Sequence, residues 1–357
     1  MFVLDSHCDT PSQILRLRDL ALDNDHAHVD FPKLGRGAVD AAFFALYIPA
    51  SLQLPQAEDY AWKLMDGLKA CVQANSDKAA FAYSSSDALR NKEKGLFSVF
   101  VGLENGSPIG NDLARMDEFH DAGVRYITLC HSADNQICDS CAPRTHTWNG
   151  LSSFGRELVA RMNEKGMLID VSHISDDAFY DVMKYSRKPV AATHSCCRAL
   201  ASHPRNMTDD MIRTLAHNGG VMQINFYPVF LDDSFRKVLA ESRLQEEGER
   251  IEAAYIADPS NLSKRKAWYE IVDSLTNLPR PSYKRIVDHI DHAVSIAGID
   301  HVGIGSDFDG IEVTPDGMED ISKIALVFEE MKSRGYSNED IKKVAGGNFL
   351  ELLDCQL

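Results

Sequence analysis

Residues 96–106 read LFSVFVGLENG. The run 96–103 is apolar almost throughout and shows no alternation of apolar and polar positions. A strand with both faces buried, as in a parallel sheet, has this pattern. The run stops on a carboxylate, Glu104. Working outward, seven more strands are predicted, at 2–5, 38–48, 124–130, 167–172, 189–194, 220–226 and 301–306. Helical spacing falls between them, at 57–75, 155–166, 175–186, 208–220, 283–298 and 319–335. In the first of these, Ala61, Leu64, Leu68 and Val72 mark one apolar face. The third opens on Ser175 followed by acids, which suits a capped and positively polarised helix start. Eight strands alternating with helices predict a single (β/α)8 barrel, an α/β fold of TIM type, spanning residues 1–357 as one domain. The charged stretch 229–282 fits the alternation least. It reads as a helical excursion between strands seven and eight, positioned to cover the site or a subunit contact, with a homodimer as the candidate assembly.

Bulk composition narrows the function classes. With 44% hydrophobic residues the chain can bury a sizeable core. No run reaches the roughly 20 apolar residues of a membrane span, and no secretory leader is read, so the expectation is a cytoplasmic protein without a membrane partner. A net charge of -16 argues against nucleic acid. The eight cysteines read as thiols of a reducing compartment. Cys138 and Cys141 form one C-x-x-C without a second such pair, which does not predict a four-sulfur zinc site.

Active sites of such barrels lie at the C-terminal ends of the strands. His7 and Asp9 end strand one, in LDSHCDTP (4–11). An extended chain would project both from the same side, and alone the pair is as readily a polar turn as a metal clip. The rest of the chain decides. Glu104 ends strand three, His131 strand four, His173 strand five, His194 strand six and Asp307 strand eight. Four of the thirteen histidines at strand exits, with three carboxylates at equivalent places, form a set that chance scatter does not explain. Neutral imidazoles and carboxylates suit zinc. His7 and Asp9 can hold one ion, His173 and His194 a second, and Glu104 can bridge them. Water shared by two such ions ionises near neutral pH and attacks an acyl carbon.

Other titratable groups read as structural. His26 and His28 are expected on a surface loop, and His289 and His292 on an outer-layer helix. Cys138, Cys141 and His146 are expected in a flexible loop, and only one of Asp307 and Asp309 should face inward.

The chain resembles the renal, or membrane, dipeptidase family of binuclear zinc peptidases, and its soluble bacterial members in particular. The resemblance runs nearly end to end through DSHCDTP, HVDFPKLGRGAVDAAFFALYIP, GLENG, YITLCHSADN, WNGLSSFGRELVARMNEKGMLIDVSHIS, ATHS, HPRNMTDDMI, GGVMQINFYP and HIDHAVSIAGIDHVGIGSDFDG. It implies a dipeptidase with two zinc ions per subunit, bridged by Glu104 and a water or hydroxide. His7, Asp9 and Glu104 would hold one ion, and Glu104, His173 and His194 the other. It implies Asp307 as catalytic acid/base, His131 as the group steadying the oxyanion, Arg205 as the grip on the substrate's terminal carboxylate, and Tyr227 as a substrate-side tyrosine. Tolerance of a D-residue at the C-terminal position is also implied. The alternatives are a related barrel amidohydrolase acting on N-acyl amino acids or lactams, and a non-catalytic binding protein on the same scaffold. Two departures stand out. Ala133 occupies the place of a disulfide cysteine of the mammalian members, and no lipid-anchor signal is read at the end of the chain, LLDCQL. The doublet Cys196-Cys197 has no assigned role.

Overall fold

The computed structural model describes residues 1–356. Its strands are β1 (Leu4–Cys8), β2 (Ala41–Tyr47), β3 (Ala79–Phe81), β4 (Phe97–Glu104), β5 (Val124–Thr128), β6 (Leu168–Asp170), β7 (Ala191–Ser195), β8 (Val221–Ile224) and β9 (Val302–Ile304). All pair in parallel, in the order β1-β2-β4-β5-β6-β7-β8-β9, with β3 attached to β4 off this path. The two ends meet. The Asp9 amide donates to the Phe308 carbonyl at 2.9 Å and the Asp307 amide to the His7 carbonyl at 3.0 Å. The result is the expected barrel of eight parallel strands, nearly closed. β3, three residues long, is an addition to the eight predicted strands.

The helices form where apolar residues repeat on one face. Gln56–Ala74 buries Ala57, Ala61, Leu64, Met65, Leu68 and Val72 against the barrel. The Ser175 hydroxyl accepts from the Ala178 amide and starts Asp176–Tyr185, as the sequence predicts. Thr208 does the same for Asp209–His217. The segment expected as one helix over 319–335 divides into a 3-10 turn, Ile321–Lys323, and the helix Ala325–Ser333.

Inside the barrel, Leu4, Phe43, Phe100, Tyr126, Leu168, Ala191 and Val221 form an apolar floor. The last helix, Asn348–Asp354, closes it from the N-terminal end of the strands with Phe349, Leu350, Leu352 and Leu353. Gly102 makes this layer possible, because a Cβ there would lie 2.2 Å from the Tyr126 ring. The C-terminal ends of the strands, with His7, Glu104 and His194, lie on the other side of this floor.

Two bulges set which side chains face that end. Between Asp5 and Cys8, β1 carries one residue more than β2. Between Ala192 and Ser195, β7 carries one more than β8. Plain alternation from Leu4 would turn Cys8 inward. The extra residue instead sends Cys8 into the outer core and brings His7 in, three residues after Leu4. In β7 the same device brings His194 in, three residues after Ala191.

The excursion between β8 and β9 is helical, as expected: Pro228–Leu231, Asp233–Ser242, Leu244–Ala257 and Leu262–Thr276. It has its own core of Phe235, Leu239, Tyr255, Trp268, Ile271 and Leu275. It docks on the segment after β1 through an Arg16–Glu252 ion pair of 2.7 Å and a His26–Asp273 contact of 2.9 Å. Among the described residues no helix is long and apolar enough to cross a membrane.

Candidate metal centre

Above the apolar floor the strand ends converge on Glu104. β4 alternates regularly, so Phe100, Gly102 and Glu104 share the inner face. The two carboxylate oxygens look in different directions. Oε2 lies 3.5 Å from His7 Nε2, which is itself 3.5 Å from Asp9 Oδ2. Oε1 lies 3.1 Å from His173 Nε2 and 3.4 Å from His194 Nε2. Ligands about 2.0–2.1 Å from a tetrahedral zinc stand roughly 3.3 Å from each other. The spacing of these atoms therefore fits ions seated between them. His7, Glu104 and His194 are fully or almost fully buried. Among the described residues, His7 Nε2 and Asp9 Oδ1 are buried without a hydrogen-bond partner, a costly condition that a cation would relieve.

The charges say the same. Burial pulls His7 down, but the Glu104 and Asp9 carboxylates outweigh it and lift it well above its ordinary value. Burial, then the Glu104 charge, raises Asp9 to about 6. These carboxylates call for positive charge between them. Burial, helped by the Arg205 guanidinium, holds His173 well below the usual range; burial and His7 do so for His194. Both present neutral imidazoles, the form that ligates metal.

The ligands are held from behind. Tyr126 Oη lies 2.8 Å from His7 Nδ1. Thr193 Oγ1 lies 2.8 Å from His194 Nδ1 and donates to Asp170 Oδ2. His173 and Asp307 sit at φ +70° and +66°, left-handed backbone that costs a non-glycine residue on the order of 1 kcal/mol or more.

Asp307 adjoins this set, grouped with His7 and Asp9. The Asn225 amide donates to its Oδ2 at 2.8 Å. Burial, and to a lesser degree the Asp9 charge, raises it to about 7. His131 Nε2 is 3.8 Å from Glu104 Oε1, and its ring lies 4.2 Å from that of His173. Burial, then Arg205, lowers it to about 3, so it is a neutral imidazole. The Arg205 guanidinium is buried, donating to Ser195 Oγ at 2.8 Å and to the His194 carbonyl at 2.7 Å. Among the described residues no carboxylate pairs with it, and its Nε is buried without a partner. Tyr227 precedes the helix Pro228–Leu231 after β8. Its ring is edge-on to Phe230 at 5.1 Å, and Phe230 lies under the Arg205 guanidinium at 5.8 Å.

The expectation for His28 needs correction. His28 is not a surface residue: half-buried, it accepts from the Asp309 amide, while Asp309 Oδ1 accepts from the His28 amide, both at 2.9 Å. Asp309 thus pins the loop that carries Asp307. His289 lies on the outer helix Lys284–Ala297 but is fully buried, between the Cys197 amide and the Leu231 carbonyl. The loop with Cys138, Cys141 and His146 is organised by Asp139, whose carboxylate accepts from the Thr147, Trp148 and Gly150 amides. Cys196 and Cys197 are free, buried thiols.

The sequence reading passed over Tyr47, Tyr126, Asp170, Thr193, Asn225 and Gly310. Tyr47 ends β2 and lies edge-on to His131 at 4.9 Å. Its position at a strand exit was the available signal. Gly310 is forced by space, since a Cβ there would lie 2.0 Å from Asp9 Oδ2.

Known proteins share the sequence pattern and the fold. Residues 1–355 match the family model described as membrane dipeptidase, Peptidase family M19. Dipeptidase verJ of Clonostachys rogersoniana is 30% identical over 338 residues, covering 92% of this chain and 76% of that protein. Dipeptidase aclJ of Aspergillus oryzae is 30% identical over 340 residues, covering 93% and 70%. The crystal structure of the probable dipeptidase PvdM from Pseudomonas aeruginosa superposes with a TM-score of 0.84 at 28% identity, over 100% of this chain and 95% of that one. A metallo peptidase from Rhodobacter sphaeroides, liganded with a phosphinate mimic of L-Ala-D-Ala, shares the fold with a TM-score of 0.82 at 23% identity, over 100% and 99%.

Proposed function

The chain belongs to the membrane dipeptidase family of metallopeptidases, M19, and from that premise we propose that it cleaves dipeptides with two zinc ions. His7, Asp9 and Glu104 would hold one ion, and Glu104, His173 and His194 the other. The observation that carries this reading is the divided reach of Glu104, with Oε2 toward His7 and Oε1 toward His173 and His194. Bound there, the ions would polarise the scissile carbonyl and lower the pKa of a shared water to near neutrality.

The chain's own groups supply the rest. Asp307 takes the proton of the attacking water and passes it to the leaving amine, and its raised pKa suits both halves of that task. His131, a neutral imidazole, offers an N–H to the developing oxyanion. Arg205, a buried cation that no carboxylate pairs with among the described residues, grips the substrate's C-terminal carboxylate. Arg205 is bonded to the backbone of the ligand His194, so a carboxylate held there would lie close to the ions and would favour dipeptides over longer peptides. The grip engages the carboxylate and not the side chain, which supports tolerance of a D-residue there. Tyr227 is assigned to the substrate side through its packing on Phe230.

The test is a library of dipeptides with L,L and L,D members, assayed with added zinc beside tripeptides and N-acyl amino acids. Hydrolysis confined to dipeptides, with both stereochemical series cleaved, is expected. Cleavage of N-acyl amino acids in place of dipeptides would contradict the proposal.

A further inference from the structure

Three strands converge on one buried carboxylate that the proposed chemistry does not use. Asp170, the last residue of β6, is fully buried and accepts four hydrogen bonds. Its Oδ1 accepts from the Ser172 and Thr193 amides at 3.0 and 2.9 Å. Its Oδ2 accepts from the Thr128 hydroxyl at 2.6 Å and the Thr193 hydroxyl at 2.7 Å. β6 and β7 share a single registered pair, Asp170 with Ala191, so the carboxylate supplies much of the link between these strands.

The proton count at Thr193 has a consequence for the metal centre. A hydroxyl has one proton. Thr193 donates it to Asp170, so toward His194 Nδ1, 2.8 Å away, it can only accept. Nδ1 must then carry the ring proton. The opposite tautomer would require the Thr193 hydroxyl to donate to the ring, leaving two oxygens 2.7 Å apart with no proton between them. With the proton on Nδ1, the lone pair of Nε2 points toward the His173 and Glu104 ligand atoms, 2.9 and 3.4 Å away.

We infer that Asp170 and Thr193 are positioning residues that lock His194 in its Nδ1–H tautomer and so set the affinity of the ion shared by Glu104, His173 and His194. The inference rests on the two-zinc reading above. Such partners behind a metal-bound histidine are worth about 10–100-fold in metal affinity.

The experiment titrates zinc-free protein with zinc against a chromophoric chelator and follows thermal unfolding of the same zinc-free samples. Thr193→Val should weaken one of two zinc sites by about 10–100-fold and leave the other unchanged. Thr193→Ser, which restores the hydroxyl, should bind as the natural chain does. Thr128→Val removes the other hydroxyl from the same carboxylate oxygen without touching His194, and should keep both affinities. Equal zinc losses in Thr128→Val and Thr193→Val would overturn the inference, because the effect would then be that of a lost buried hydrogen bond. Natural affinity at both sites in Thr193→Val would overturn it as well. A natural chain that takes up no zinc would overturn the two-zinc reading and this inference with it.

Discussion

Gly310→Ala disturbs the proposed centre without altering any functional side chain. Gly310 is exposed, so an added methyl group burdens no core. A Cβ at this position would lie 2.0 Å from Asp9 Oδ2 and 2.7 Å from Asp307 Oδ1. An ordinary carbon–oxygen contact is about 3.3 Å, so the Asp9 carboxylate has to retreat by more than about 1 Å. That oxygen faces His7 Nε2 at 3.5 Å, and its retreat would take the proposed ligand away from the first ion while crowding Asp307. A misplacement of about 1 Å at a reacting centre costs on the order of a hundredfold in rate, or about 2.7 kcal/mol. The assay is kcat/KM on a good dipeptide with zinc in excess, beside zinc content after gel filtration and the Tm of the zinc-free chain. The expected result is a loss of about a hundredfold, one ion retained in place of two, and a Tm close to that of the natural protein. Full activity with two bound ions would refute the placement of Asp9 as a ligand.

Asp307→Asn should keep both ions while kcat falls by about a hundredfold or more. Asparagine tolerates the positive φ at this position and can still accept from Asn225 through its carbonyl, so loss of zinc together with activity would instead make Asp307 a ligand. Arg205→Met should raise KM strongly for free dipeptides and little for their C-terminal amides, measured by initial rates on both series. Equal losses on the two would assign Arg205 to the support of the His194 carbonyl and Ser195, which it also contacts.

The barrel was legible because several of its eight strands are continuous apolar runs and its crossover helices carry clear stripes and caps. The strand exits then pointed to His7, Asp9, Glu104, His131, His173, His194 and Asp307, which the structure gathers at one end of the barrel. What could not be read depends on contacts distant in sequence or on register. β3 is Ala-Ala-Phe, an alanine-rich stretch without the β-branched residues that mark a strand. The bulges in β1 and β7 leave no mark in a single sequence, yet they turn His7 and His194 inward. Thr193 and Asp170 look like ordinary strand residues until the fold places them behind His194. His28 looked like part of a polar loop because its partner, Asp309, lies 281 residues away.

The central claim is that Glu104 stands between two ions. Anomalous diffraction at the zinc edge, on crystals of the zinc-loaded protein, tests it directly. The account predicts two peaks about 3.5–4 Å apart, one beside His7 and Asp9 and one beside His173 and His194, with one Glu104 oxygen on each. A single peak, or two peaks of which Glu104 touches only one, would contradict it.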